Sequence, residues 1–243
     1  MTVLSMKLKE RTEKEHWAEE VIGIKNEYYS KFMKVFDHLD FSKPDILGNA
    51  TPKEEYDSRN GFDKYMKRTL IGAKFREEAV QKWAWAVPTT EAIIKIARFS
   101  PIISIGAGSG YWEMLLSSAG GAEVVAFDKM WKAKQQFKFH ELYYSVIQGD
   151  EREILRYPNH TLFLCWPSYQ APFAANALKI TKAKYVVYVG EWYAATATED
   201  FHDDLEERFE QLAVIKIPSY PHIRDRVWIY RRKSIIDLKV AVN

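Results

Sequence analysis

From Pro101 onward, short apolar runs alternate with stretches whose apolar residues recur at helical spacing, and few architectures accept that order. The apolar runs fall at 101–105 (PIISI), 122–127 (AEVVAF), 144–147 (YSVI), 161–165 (TLFLC), 185–189 (YVVYV), 213–217 (AVIKI) and 226–231 (RVWIYR). Helical patterns lie at 110–119, 130–141, 171–182 and 199–212, the last opening at Thr198 with Glu199 and Asp200 where they suit the helix dipole. Strands separated by helices of this length require right-handed crossovers and hence a mostly parallel sheet. The final two runs are joined only by SYPHIRD, too short for a crossover helix, so they are expected to pair antiparallel.

Before Pro101 the chain reads differently. Trp17, Val21, Ile24, Tyr28, Phe32 and Phe36 recur at steps of three and four, which predicts a helix over about 12–38. The stretch 40–62 is rich in Pro, Gly, Asp, Asn and Ser and reads as a connection. A second helical pattern over 62–82 carries Phe62, Met66, Leu70 and Phe75. These helices form an N-terminal extension, residues 1–82, that packs as a cap or covers a pocket as a lid. Pro88 then ends the WAWAVP stretch, and Thr89 and Thr90 are placed to cap a helix through EAIIKIARF.

Composition excludes several classes of function. Lys and Arg number 35 against 33 Asp and Glu, and neither segment is strongly basic, so charge gives no support to general nucleic-acid affinity. One cysteine, Cys165, permits no intramolecular disulfide and no thiolate cluster, and the six histidines do not fall at metal-ligand spacing. No apolar run approaches the roughly 20 residues that span a bilayer, and the N-terminus lacks a signal core. The expected setting is cytoplasmic and reducing, without a membrane partner or a metal. The oligomeric state is not legible.

The first strand runs into GAGSGYW, with Gly106, Gly108 and Gly110 preceding a helix. In an open α/β sheet, ligands bind beyond the carboxyl ends of the strands near the point where strand order reverses. Glycines there permit positive φ and close approach of a ligand to main chain. A dinucleotide fingerprint, G-x-G-x-x-G, would need glycine at position 111, which is Tyr111; no Gly-Lys-Ser/Thr follows, so a Walker loop is excluded. The second strand ends at Asp128, 18 residues beyond Gly110, where an acid can accept both hydroxyls of a ribose. The third ends in Gly149-Asp150, within reach of an adenine amino group. Together these point to a nucleoside-bearing ligand.

GAGSGYW, Asp128, Gly149-Asp150, a fourth strand ending CWP and a terminal hairpin resemble the class I S-adenosylmethionine-dependent methyltransferases over about residues 83–232. WAVP, LFLCWP and YVGE further resemble a little-characterised methyltransferase-like subgroup of that family. The resemblance implies a Rossmann-like α/β fold: a seven-stranded, mostly parallel sheet with an antiparallel last strand and helices on both faces, here occupying residues 83–243. It implies S-adenosyl-L-methionine as cofactor. The cofactor-contacting set it implies is Gly106, Ala107, Gly108, Gly110, Tyr111, Asp128, Lys129, Gly149 and Asp150. Gly106, Gly108 and Gly110 would lie along the methionine part, Asp128 on the ribose and Asp150 near the adenine.

Methyl transfer from a sulfonium is an in-line displacement, so the acceptor belongs at the ends of strands four and five. Trp166, Pro167, Tyr169 and Trp192 are the candidate acceptor walls, with plain hydrophobic packing as the alternative. WPSY departs from the Asp/Asn-Pro-Pro-Tyr/Trp motif of enzymes that methylate nucleic-acid amino groups, because Trp166 stands where the hydrogen-bond acceptor is needed. Glu191, leaving strand five beside Trp192, is the candidate general base; a carboxylate tied to a nearby backbone donor or basic residue is the competing reading. His222 and Asp225, in the hairpin turn, are expected to be solvated, and Cys165 to be a core residue. The basic-aromatic stretch DKMWKAKQQFKFH reads as an amphipathic helix rather than a single-strand nucleic-acid site. The expected function is methyl transfer to a small-molecule acceptor, with a non-catalytic binding or scaffold protein of the same fold as the alternative and a nicotinamide-dependent reductase disfavoured by Tyr111.

Overall fold

A computed structural model describes residues 25–36, 59–129 and 141–234. The helix expected at 130–141, the basic-aromatic residues from Trp131 to Phe139, most of the 40–62 connection, and Trp17, Val21 and Ile24 lie outside the described residues.

All seven apolar runs become strands of one sheet. They are β1 (Ile102–Ile105), β2 (Val124–Asp128), β3 (Val146–Gln148), β4 (Thr161–Cys165), β5 (Tyr185–Gly190), β6 (Phe209–Lys216) and β7 (Arg226–Arg232). Their order is β3-β2-β1-β4-β5-β7-β6. The first five strands are parallel, while β7 runs antiparallel to both β5 and β6. Strand order therefore reverses between β1 and β4, and the crevice lies at their carboxyl ends.

The helices are α1 (Glu27–Phe36), α2 (Arg59–Lys82), α3 (Thr90–Ala97), α4 (Tyr111–Ser118), α5 (Phe173–Ile180) and α6 (Glu199–Arg208), with a 3₁₀ turn at Glu151–Arg156. Capping follows the sequence: the side chains of Thr89 and Thr198 accept from the amides of Ala92 and Phe201. Alternation along the strands divides the core in two. Ile102, Phe163, Val187 and Val189 pack with α1, α2, α3 and α4, whereas Ile103, Leu162, Leu164 and Val186 pack with α5 and α6 on the other face.

Helix α1 buries Tyr28, Tyr29, Phe32 and Phe36, as its spacing predicts. Helix α2 keeps only part of the expected stripe. Gly72, Phe75, Ala79 and the following Trp83 turn inward, while Met66 and Leu70 are exposed. Gly72 is tightly seated, and a Cβ on it would meet Pro221 Cδ at 2.8 Å. The predicted helix 199–212 also ends early, at Arg208. Phe209, Glu210 and Gln211 pair with Arg232, Arg231 and Tyr230 instead, and an Arg231–Glu210 ion pair of 2.6 Å bridges the two strands. Sheet pairing overrides local helix propensity there.

Gly110 has φ of +74° and caps α4, and a Cβ on it would meet Tyr144 Cβ at 2.7 Å. Gly121 has a similar φ of +65° but open space around it. Gly110→Ala should therefore cost roughly 2–5 kcal/mol, strain plus overpacking, and Gly121→Ala only about 1–2 kcal/mol. Urea denaturation of the two variants measures this; equal losses would refute the packing account.

Candidate functional site

A cleft of about 550 Å³ opens at the carboxyl ends of β1, β2, β3 and β4. The glycine turn forms its floor. Gly106, Gly108 and Gly110 all have positive φ, at 76°, 58° and 74°. The amides of Gly106 and Ala107 both donate to the Phe127 carbonyl, at 2.8 and 3.1 Å, which fastens the turn to β2. The Gly108 amide donates to Asp128 Oδ2 at 2.9 Å. The bend and the acid twenty residues further on thus share one hydrogen bond.

The turn is held from behind as well. Ser109 Oγ donates a short hydrogen bond to the Trp83 carbonyl. Tyr111 is buried; its hydroxyl accepts from the Tyr28 amide at 3.0 Å and donates to Asn26 Oδ1 at 3.3 Å. Asn26 in turn donates to the Pro88 carbonyl at 2.9 Å.

Of the residues expected at the site, Gly106, Ala107, Gly108, Tyr111, Asp128, Lys129, Gly149, Asp150 and Trp166 line the cleft. Asp150 also caps the 3₁₀ turn through the Arg152 amide, at 3.0 Å, and pairs with the exposed Arg152 guanidinium at 2.5 Å. Those hydrogen bonds hold its carboxyl well below the usual range, at about 2.

Gly110, Pro167, Tyr169, Glu191 and Trp192 are not brought into the wall. Gly110 faces Tyr144 and Val146. The Pro167 carbonyl accepts from the Ala197 amide in a bridge between the loops after β4 and β5, and Tyr169 beyond it is exposed. Trp192 packs against Trp228, Tyr230 and His202 on the other face of the sheet. Glu191 is buried, and its Oε1 accepts from the Arg224 amide at 2.7 Å. The carboxylate proposed as a base is thus the one tied to a backbone donor.

Several features of the site escape sequence reasoning. Trp83 and Trp85 line the cleft, and the break in pattern at WAWAVP was their only signal. Trp85 stacks on Trp166 with ring centroids 5.0 Å apart, and the Arg76 guanidinium lies 5.0 Å from each ring. Asp225 is not solvated; it is 1% exposed and accepts from Trp166 Nε1 at 2.6 Å. That bond helps hold Trp166 at its left-handed φ of 51°, a strained conformation for a bulky residue. Glu113, on α4, lines the cleft and accepts from Ser104 Oγ at 2.6 Å. A polar residue in the apolar strand IISI and an acid in the apolar run YWEMLL were the visible halves of that pair. Cys165 lines the cleft too, with burial pushing its thiol well up.

No family profile matches this chain, and no curated protein sequence matches it significantly. Solved structures do. Magnesium protoporphyrin IX methyltransferase (ChlM) from Synechocystis PCC 6803 with bound SAM aligns over 85% of this chain and 98% of its own, at 12% identity and TM-score 0.43. TrmN from Thermus thermophilus aligns over 59% of this chain and 48% of its own, at 13% identity and TM-score 0.39. MtNAS in complex with MTA and tNA aligns over 90% and 82%, at 14% identity and TM-score 0.39. The sequence resemblance implies seven strands with the last antiparallel, and the sheet has them, with β7 lying antiparallel between β5 and β6. The fold is a Rossmann-like α/β fold with a seven-stranded, mostly parallel sheet.

Burial raises Glu113 from its ordinary 4.5 to about 7, with the Ser104 hydrogen bond opposing. Burial likewise raises Asp225 from 3.8 to about 7, against the Trp166 hydrogen bond. Between those ordinary values and 7 the folded chain keeps protons that the unfolded chain has released. The contribution of these two groups to stability should therefore be greatest below about pH 4, fall as pH rises to 7, and stay level above. Each site contributes on the order of 3 kcal/mol to that fall. Glu113→Gln and Asp225→Asn should each lose less stability than the native chain between pH 5 and pH 8, measured by urea denaturation; identical losses would refute the assignment.

Proposed function

We propose that this chain is an S-adenosylmethionine-dependent methyltransferase acting on a small, largely apolar acceptor. One observation carries the reading: at the mouth of a cleft of about 550 Å³, the Asp128 carboxylate is fixed by the Gly108 amide at the end of β2. The volume lies within the usual range of small-ligand pockets. An acid in that place suits a ribose, since a carboxylate has acceptor capacity for two hydroxyls besides the amide. The cradle fits the cofactor in a second respect: the main chain of Gly106 to Gly108 faces the cleft without side-chain bulk beyond the Ala107 methyl.

Bound there, S-adenosylmethionine supplies a methyl group already activated as a sulfonium. The chain itself supplies position. Asp128 orients the ribose, Gly149 and Asp150 flank the adenine, and the stacked Trp85 and Trp166 wall the acceptor side beside Cys165. Orientation of this kind is worth roughly 7–11 kcal/mol where reactants are well aligned.

A second reading, a binding protein of the same fold that transfers nothing, is favoured by one observation. Glu191, the expected base, is held by the Arg224 amide and does not line the cleft. Turnover of labelled cofactor against a metabolite pool separates the two readings, and a protein that binds cofactor but labels no acceptor favours the second.

Asp128→Asn keeps an oxygen for the Gly108 amide but replaces the other acceptor with a donor. Calorimetry should show S-adenosylmethionine affinity reduced roughly ten- to hundredfold. Unchanged affinity would remove Asp128 from the ribose, and native protein that binds NAD but not S-adenosylmethionine would overturn the reading altogether.

A further inference from the structure

Glu113 is an acid with an unmet demand. It is 1% exposed, it lines the cleft, and Ser104 Oγ satisfies only its Oε1. Its Oε2 is buried without a hydrogen-bond partner. Among the described residues, no Lys, Arg or His forms an ion pair with it. The titratable groups that act on it are Asp128, which repels its charge, and the Cys165 thiol, on which its own charge acts. A buried carboxyl left in this state is costly, and its ionised form more so.

Two carboxylates therefore serve one glycine turn, and they differ. Asp128 is partly open, with one oxygen on the Gly108 amide, and suits neutral hydroxyls. Glu113 sits beneath the turn in a dry, acid-flanked position and suits a cation. Burial favours its neutral form until a positive charge arrives, and contact with that charge is what would ionise it. Water-excluded surroundings make such a contact strong and selective.

We propose that Glu113 is the receptor for the cationic α-amine of the cofactor's amino-acid end, with Oε2 accepting an ammonium N–H while Oε1 stays on Ser104. The assignment rests on the cofactor reading above. It makes Glu113 a specificity device: the cleft would distinguish an adenosine thioether that carries an ammonium from one that does not.

The test is calorimetry on the full chain with three ligands. S-adenosylhomocysteine carries the amine and a carboxylate, its decarboxylated form keeps the amine alone, and 5′-methylthioadenosine has neither. Native protein should bind both amine-bearing ligands more tightly than methylthioadenosine. Glu113→Gln should weaken those two roughly ten- to hundredfold while methylthioadenosine stays within about twofold. Retained methylthioadenosine binding reports that the cleft is still formed. Should Glu113→Gln fall short of stable folding, the ratio of the two affinities in Glu113→Ala must move the same way. A variant that weakens all three ligands equally, or none, overturns the role of Glu113 and leaves the cofactor reading standing. Native protein that binds none of the three overturns both.

Discussion

The hydrogen bond from the Gly108 amide to Asp128 couples the glycine turn to the end of β2. Neither is fixed by its own strand alone. The glycine turn needs positive φ at three positions, and the acid needs a defined rotamer at the end of β2. Each supplies the constraint the other lacks, because the amide can point at the carboxylate only when the turn is closed. The Phe127 carbonyl strengthens the arrangement by accepting from Gly106 and Ala107 at the same strand end. What results is a short rigid cradle at the β1–β4 reversal, where an α/β sheet has an open crevice to offer.

The N-terminal helices are part of that rigidity. Asn26 and Tyr28 bond directly to Tyr111, the first residue of α4, and Tyr28 stacks on Trp83, whose carbonyl holds Ser109. On the far side, the Tyr28 and Tyr220 hydroxyls meet at 2.7 Å, which ties α1 to the connection before β7. Moving α1 away would expose Phe32 and Phe36 and break buried hydrogen bonds at Asn26, Tyr28 and Tyr111 together. Packing energy on that scale favours the cap over the lid for the described part of the extension.

What the sequence revealed is what local physics controls. Strand runs, the glycine turn, the caps at Thr89 and Thr198, and acids at strand ends depend on neighbours a few residues away. The structure brings Asp128 and Gly108 together because strand order places β2 beside β1, which follows from the βαβ pattern itself. The rest is tertiary. Asp225 looks like a loop acid until the Trp166 indole is seen to reach it from 59 positions away. Glu191 looks like a free base until the Arg224 amide claims it. Trp192 leaves β5 toward the opposite face, a choice set by the alternation of Val189 and Tyr188 across the sheet. The overshoot of the helix at Phe209 has the same origin, since no window of ten residues contains the partner strand.

The cleft is also polarised in a way that only the assembled structure displays. On the side of the glycine turn, Glu113 lies buried, and among the described residues no ion pair includes it. On the side of β4, the Arg76 guanidinium already lies over the Trp85 and Trp166 rings, with Asp225 behind them. An indole face attracts a cation through its electron-rich surface, and a guanidinium beside both rings has taken much of that attraction. A second cation brought to this wall would meet repulsion from Arg76. The same cation finds an unshared carboxyl oxygen at Glu113. If the proposed role of Glu113 holds, a ligand with one positive amine and one apolar reacting end has a preferred direction in the cleft.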